Sequence, residues 1–252
     1  MTKPGTIYLV GAGPGDRDLL TLRAARLIEN AEVLVHDGLV SEDILAMAPA
    51  SAERISVAKK RARHTLPQED INALLVREAL AGRDVVRLKG GDPLIFGRGG
   101  EEAEDAHAAG VPVEIVPGVS AANGAAAATQ IPLTHRDHAS IVSFVAGQCK
   151  GLTDQDWSGL AGKGRTLVIY MGVKTAPQIA EKLMDDGLTP DVPVAVIENA
   201  ARTNMRVVRG SLAALPALVK THKIQSPALI VIGDVTAKSD TALAKTAMEA
   251  AQ

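Results

Sequence analysis

Aromatic residues are scarce in this sequence: two Phe, two Tyr and one Trp make up 2% of 252 residues. That excludes an exposed stacking platform for single-stranded nucleic acid, which needs aromatic faces to hold bases. Cysteine is scarcer still. With Cys149 alone the chain closes no internal disulfide and builds no four-cysteine zinc site, so a reducing compartment, the cytoplasm, is the economical expectation. No apolar run reaches the ~18 residues of a membrane span. The short run near the N-terminus, in MTKPGTIYLVGAGPGD, gives way to glycines and acids where a signal peptide would continue. Excess charge is missing as well. The net charge is -2 and the pI about 6.3, so no global field draws the chain to DNA or to an anionic membrane. Neither nucleic acid nor membrane is expected as a partner.

What the chain has is aliphatic. Apolar residues make up 46%, so a core is to be built from Val, Ile, Leu and Ala, and disorder is excluded for most of the length. At a prior of about 150 residues per domain the length corresponds to roughly 1.7 domains. Short β-branched runs alternate with segments of helical period, the mark of βαβ units and a parallel sheet. Strands are expected at 6–10, 31–36, 54–57, 85–88 and 113–116, and helices at 16–30, 41–48, 67–81, 100–109 and 120–130. Asp16 is expected to cap the first helix and Pro67 to sit in the first turn of the third. Beyond the turn-rich stretch IPLTHR the strands (140–146, 166–171, 193–198, 205–209, 228–232) outnumber the helices (177–186, 212–222), which points to a mixed sheet. The reading is an α/β protein of two α/β domains, 1–132 with a mostly parallel sheet and 133–240 with a mixed one. A cleft is expected between them, and a frayed tail at 241–252.

Four stretches carry candidate chemistry. GAGPGD at 11–16 follows a strand and opens a helix, where glycines let the backbone turn and approach a ligand. It misses the dinucleotide fingerprint: Asp16 stands where the third glycine belongs, and Pro14 removes a donor that would face a pyrophosphate. Asp37, after the second strand, imitates a ribose-binding acid, and a turn that only serves packing is the plain alternative. In LKGGDPLIFGRGGEE five glycines fall within residues 90–100, too many for an ordinary loop, and Arg98 and Glu101 share a face at a helix start. A surface ion pair is the plain reading of those two. VPGVSAA gives a third strand–turn–helix junction, in which Ser120 serves either as a cap or in a site. These glycine turns and Asp37 all fall at carboxyl ends of parallel strands, the edge where open α/β sheets bind ligands. The fourth stretch is basic: Lys59, Lys60, Arg61, Arg63 and His64 form either a solvated charge run or a rim for a polyanionic small molecule. His135 and His138 flank Arg136 with metal-like spacing, but no further ligands complete a set, and no metal is expected.

Taken together, GAGPGD, HDGLVS, HTLPQEDINALL, RLKGGDPLIFGRGGEE, VPGVSAANGAAA, IPLTHR, YMGV, PVAVIENA and SPALIVIGDV resemble the uroporphyrinogen-III C-methyltransferases of the tetrapyrrole (class III) methylase superfamily, in order from about residue 5 to residue 236. The resemblance implies two α/β domains with S-adenosylmethionine (SAM) in the cleft, S-adenosylhomocysteine as product, a homodimer, and methylation of uroporphyrinogen III at C2 and C7 to precorrin-2 through precorrin-1. By motif match, Pro14, Gly90, Gly91, Asp92, Ile95, Ser120, Ala121, Met171 and Ala200 fall on SAM-contacting positions. Asp37 matches a proton acceptor, Lys59 a proton donor, and Arg98 and Glu101 residues of substrate positioning and proton transfer; the base is Asp37 or Glu101. The substrate is an octacarboxylate, so Lys60, Arg61, Arg63, His64, His135 and Arg136, with Lys59 and Arg98, become carboxylate partners.

The chain departs from the family pattern in places. The family usually reads Tyr-Asp-Arg-Leu-Val where this chain has His36-Asp37-Gly38-Leu39-Val40, and Ala58 and Ala200 replace usual glycines. The chain carries no additional N-terminal region for later steps of sirohaem synthesis, so it is expected to stop at precorrin-2. Three alternatives remain open: a methylase acting on a later precorrin or a non-tetrapyrrole substrate, an oxidoreductase using NAD at 11–16, and a non-catalytic binding module.

Overall fold

A computed structural model describes residues 3–58, 66–148 and 156–237. The chain divides into two compact units, Met1–Ala121 and Ala122–Gln252.

The first unit is a five-stranded sheet of β1 (Ile7–Gly11), β2 (Val33–His36), β3 (Glu53–Ser56), β4 (Val85–Lys89) and β5 (Val113–Val116), in the order β3-β2-β4-β1-β5 with every pairing parallel. Successive residues of a strand face opposite sides of a sheet, and here both sides are apolar. Ile7, Leu9, Val33, Val35 and Val85 pack beneath α3 (Gln68–Leu80) and α4 (Gly99–Ala108), through Ile71, Leu75, Ala103 and Ala106. Val10, Leu34, Val86 and Leu88 pack beneath α1 (Leu22–Glu29) and α2 (Glu42–Leu45), through Ala24, Ile28, Ile44 and Leu45. The parallel sheet expected from the alternation is the one observed, with helices on both of its faces.

Two helix starts differ from expectation. Asp16 accepts from the Asp18 backbone N–H at 2.9 Å and caps only a 3-10 turn, Arg17–Leu19. The α-helix begins later, behind Thr21, whose hydroxyl accepts from the Ala24 N–H at 3.1 Å. Pro67 takes the N-cap position of α3 instead of a place in its first turn.

The second unit holds β6 (Ala139–Ala146), β7 (Gly164–Tyr170), β8 (Pro193–Glu198), β9 (Arg206–Ser211) and β10 (Ala228–Ile232) in the order β6-β7-β10-β8-β9. Only β6 and β7 pair in parallel, so the sheet is mixed as expected. Its core joins Leu167, Ile169, Val194, Val196, Ile230 and Ile232 to Ile179 and Leu183 of α6 (Ala176–Asp185) and Leu215 of α7 (Leu215–Thr221), with Trp157 fully buried among them. The boundary between the units falls at 121/122, ahead of the 132/133 division expected from the turn-rich stretch. The physical reason lies at the start of α5 (Ala121–Thr129): the Ala122 N–H donates to the Tyr170 hydroxyl at 3.1 Å, which ties this small-residue helix to β7. The expected tail at 241–252 lies outside the described residues.

Candidate functional site

Because β1, β2, β4 and β5 run the same way, the segments that follow them share one edge of the first sheet. Their glycines let these segments touch backbone to backbone. Ala12 N–H donates to Lys89 O at 2.7 Å, Gly13 N–H to Gly91 O at 3.1 Å, and Gly91 N–H returns to Gly13 O at 2.7 Å. A Cβ on Gly11 would lie 2.5 Å from the Gly118 nitrogen and 2.7 Å from the Gly91 oxygen, so only glycine fits there. Asp92 completes the joint: one carboxylate oxygen accepts from Leu94 N–H at 2.9 Å and the other from Gly118 N–H at 3.1 Å. Thus Pro14, Gly90, Gly91 and Asp92 are brought together with the 117–120 turn, and Ser120 is buried at the head of α5.

Asp37 reaches the same edge. Its Oδ1 accepts from Leu39 N–H at 2.8 Å and its Oδ2 from Gly90 N–H at 3.3 Å, so both oxygens are engaged by main chain. The turn-capping role is therefore present, and through it β2 is fastened to the 90–92 loop. The usual arginine at position 38 is absent, and the space is partly taken: a Cβ on Gly38 would lie 3.2 Å from the Ala58 methyl.

Beyond Asp92, Ile95 N–H bonds back to Asp92 O at 3.4 Å, and the chain then passes through two left-handed residues, Phe96 (φ 54°) and Arg98 (φ 58°). Gly97 and Gly99 press against the Pro93 carbonyl, each leaving 2.6 Å for a Cβ, and Gly99 N–H donates to that oxygen at 3.0 Å. Arg98 is thereby set at the N-cap of α4. It meets Glu101 in a two-pronged pair, Nε to Oε1 at 2.8 Å and Nη2 to Oε2 at 2.7 Å, with side chains 54% and 52% exposed. The Arg98 hydrogen bonds hold the Glu101 carboxyl below the usual carboxylate range, and the same bonds raise Arg98 further. The pair is thus accessible and held on a closely packed loop.

Sequence reasoning missed a buried group beside it. Arg87, Lys89 and Glu102 are all sealed from solvent, with Glu102 accepting from both cations. The available signal was VVRLK, in which two cations stand on one face of a strand whose five residues are all buried.

In the second unit Met171 (φ 57°) follows β7, and Ala200 follows β8 between left-handed Asn199 (φ 51°) and Ala201 (φ 56°). Since β7 and β8 are each antiparallel to β10, these two residues share one edge of the mixed sheet. His135 and Arg136 precede β6, which is parallel to β7, and so stand at the opposite edge. The His135 ring lies 4.7 Å from that of His138, and its Nδ1 accepts from Asp137 N–H at 3.1 Å. Among the described residues no group of three His, Cys, Asp or Glu side chains is placed to hold a metal ion. Lys59, Lys60, Arg61, Arg63 and His64 lie outside the described residues.

Comparisons with known proteins agree on the kind of chain this is. Residues 6–216 match the family described as tetrapyrrole (corrin/porphyrin) methylases. Sirohaem synthases from Gluconacetobacter diazotrophicus and Pseudomonas fluorescens are each 51% identical, over 92% and 93% of this chain. The chain spans about half the length of these relatives, 50% and 51%. Among solved structures, a uroporphyrin-III C-methyl transferase from Thermus thermophilus, complexed with S-adenyl homocysteine, is 42% identical with a TM-score of 0.78, covering 92% of this chain and 99% of that one. A cobalt precorrin-4 methyltransferase is 27% identical with a TM-score of 0.81, covering 92% and 95%.

Proposed function

The chain belongs to the tetrapyrrole (corrin/porphyrin) methylases, and from that premise we propose that it is a SAM-dependent C-methyltransferase. In this reading it methylates uroporphyrinogen III at C2 and C7 and releases precorrin-2 by way of precorrin-1. The observation that carries the choice of cofactor is the state of the first glycine loop. Ala12 and Gly13 donate their N–H groups to Lys89 and Gly91, and Pro14 has none, so three successive residues offer nothing to a pyrophosphate. That disfavours NAD and suits SAM, which carries no phosphate. The Thermus enzyme, similar over 92% of this chain, was solved with S-adenyl homocysteine.

When bound, SAM supplies an electrophilic methyl group on a sulfonium. In this reading the positions that the family resemblance marks, Pro14, Gly90, Gly91, Asp92, Ile95, Ser120, Ala121, Met171 and Ala200, hold and orient it. Arg98, on its closely packed loop, takes a substrate carboxylate through the two-pronged geometry it now gives Glu101. Glu101, released by that exchange, removes the proton that the macrocycle loses. Asp37, whose oxygens are both occupied by main chain, is the less available base and orders the loop. Lys59, Lys60, Arg61, Arg63 and His64 meet the other carboxylates. The working form is a homodimer.

Anaerobic incubation with SAM and uroporphyrinogen III tests the reading. Incorporation of two methyl groups and a red-fluorescent product on oxidation are expected; no methyl transfer overturns it. Methylation of a later precorrin instead would favour the activity of the cobalt precorrin-4 enzyme that this chain also resembles.

A further inference from the structure

Three ionic side chains of the first unit take no part in the function proposed above and are buried nonetheless. Arg87 and Lys89, on the face of β4 that α3 and α4 cover, are 4% and 3% exposed, and Glu102, in the first turn of α4, is 1% exposed. Glu102 accepts from Lys89 Nζ with both oxygens at 2.8 Å and from Arg87 Nε at 3.0 Å. Gln68 of α3 adds a bond at 3.2 Å, and bonds in turn to Asn72, which holds Asp105 of α4 at 2.7 Å. Two cations face one anion here. Stability alone is a weak reason for such a cluster, because well-packed apolar residues often serve as well.

Its position supplies a stronger reason. Lys89 ends β4 and runs directly into Gly90, Gly91 and Asp92, whereas Glu102 follows Glu101 and donates its N–H to Arg98 O at 3.3 Å. One buried carboxylate therefore joins the loop that closes on Gly13 to the helical turn that carries the Arg98–Glu101 pair. We propose that Lys89 is a positioning residue: by gripping both oxygens of Glu102 it fixes the first turn of α4, with Arg98 and Glu101, against the 90–92 loop. Burial and the nearby Arg87 lower the pKa of Lys89 from its ordinary value, with Glu102 and Asp37 opposing them. Positioning within one unit stands on this geometry; its consequence for turnover rests on the methyltransferase reading.

Lys89→Met in the full chain is the test, because it leaves Arg87 and Glu102 paired one to one with Gln68 still bonded. A thermal midpoint close to the parent's is expected. Amide hydrogen exchange is expected to rise together at 90–92 and 98–102. The kcat should fall at least about tenfold, within the ~10²-fold that a 1 Å misplacement can cost, and KM for uroporphyrinogen III should rise with it, because Arg98 takes a substrate carboxylate. Exchange that rises in only one of the two segments, or parental kcat in a folded variant, overturns the proposal. Should Lys89→Met fail to fold, Glu102→Asp keeps all three charges and draws the carboxylate back by one methylene; loss of kcat in the folded variant supports the proposal, and parental kcat overturns it. A parent protein that methylates no tetrapyrrole overturns the functional reading, and the exchange result then decides the positioning by itself.

Discussion

Gly11→Ala and Gly100→Ala make the same chemical change, and the structure gives them opposite signs. A Cβ on Gly11 would meet the Gly118 nitrogen at 2.5 Å, the Gly118 Cα at 2.6 Å and the Gly91 oxygen at 2.7 Å. All three are main-chain atoms, which no side-chain rotation can clear. Ordinary carbon contacts begin near 3.5 Å, so the turns after β4 and β5 must retreat from β1 by roughly 0.9 Å. A retreat of that size stretches the Gly13–Gly91 hydrogen bonds, now 2.7 and 3.1 Å, toward or beyond their limit. Overpacking costs about 1–3 kcal/mol, and each bond lost adds about 1 kcal/mol, so a loss of about 3–5 kcal/mol is expected. At roughly 2–4 °C per kcal/mol the melting point falls by about 10 °C. Gly100, in α4 and with nothing within 4 Å of its Cβ position, should instead gain about 0.5–1 kcal/mol as alanine. Thermal unfolding followed by circular dichroism reads both, and calorimetric titration with S-adenosylhomocysteine should show weaker binding in the first variant alone. A Gly11→Ala protein that melts and binds like its parent refutes the reasoning, because it denies the contact between the three turns.

Two further outcomes follow from the charged groups. Arg98→Ala should let the Glu101 carboxyl return up toward its ordinary value of 4.5, visible in an NMR titration of the side-chain carboxyl, and should cut turnover while leaving S-adenosylhomocysteine binding intact. Because the pair depresses the folded-state pKa, its stabilisation is present in full above pH 4.5 and lost as the pH falls through the depressed value; both groups being half exposed, it is worth at most about 1 kcal/mol. An unchanged Glu101 titration in that variant would show that the pair does not form in solution. Glu102→Gln should behave very differently: it leaves two buried cations without an anion and should cost about 3–5 kcal/mol in urea unfolding, whereas a loss below ~1 kcal/mol would mean that the cluster is hydrated.

Alternation of short β-branched runs with helical segments made the parallel sheet of the first unit legible, because strands covered on both faces, such as IYLVG and VLVH, read as apolar runs. What it hid was local. The run DRDLLTLRAARLIEN looks like one helix because Leu19, Leu20 and Leu22 keep its apolar content high, yet Leu22 is 77% exposed and the helix buries only Ala24 and Ile28. Thr21 carries the true start signal, its hydroxyl capping the Ala24 N–H, while Asp16 caps only the preceding 3-10 turn. The unit boundary was hidden for another reason: α5 goes with β7 through a hydrogen bond between residues 48 apart, a pairing that no window along the chain contains. Arg87 and Glu102 are hidden differently: cations and acids are ordinarily solvated, and only three-dimensional packing shows that α3 and α4 close over them.

The departures around Asp37 have a spatial logic that a linear comparison does not contain. Read along the chain, Gly38 and Ala58 are two separate losses, one of an arginine and one of a glycine. In the structure they are neighbours: β2 and β3 are paired in parallel, and the segments leaving them bring the Ala58 methyl to 3.2 Å from where a Cβ of residue 38 would begin. That separation is tighter than ordinary van der Waals contact, so an arginine at 38 and an alanine at 58 would press on each other, while glycine at either position relieves the strain. Where the resemblance puts an arginine at 38 and a glycine at 58, the methyl group of Ala58 here takes up part of the room that such a side chain would enter. Asp37 keeps its bonds to Leu39 and Gly90. What changes is the charge beside it: the resemblance puts a guanidinium at position 38, whereas the cation coupled to Asp37 here is the buried Lys89.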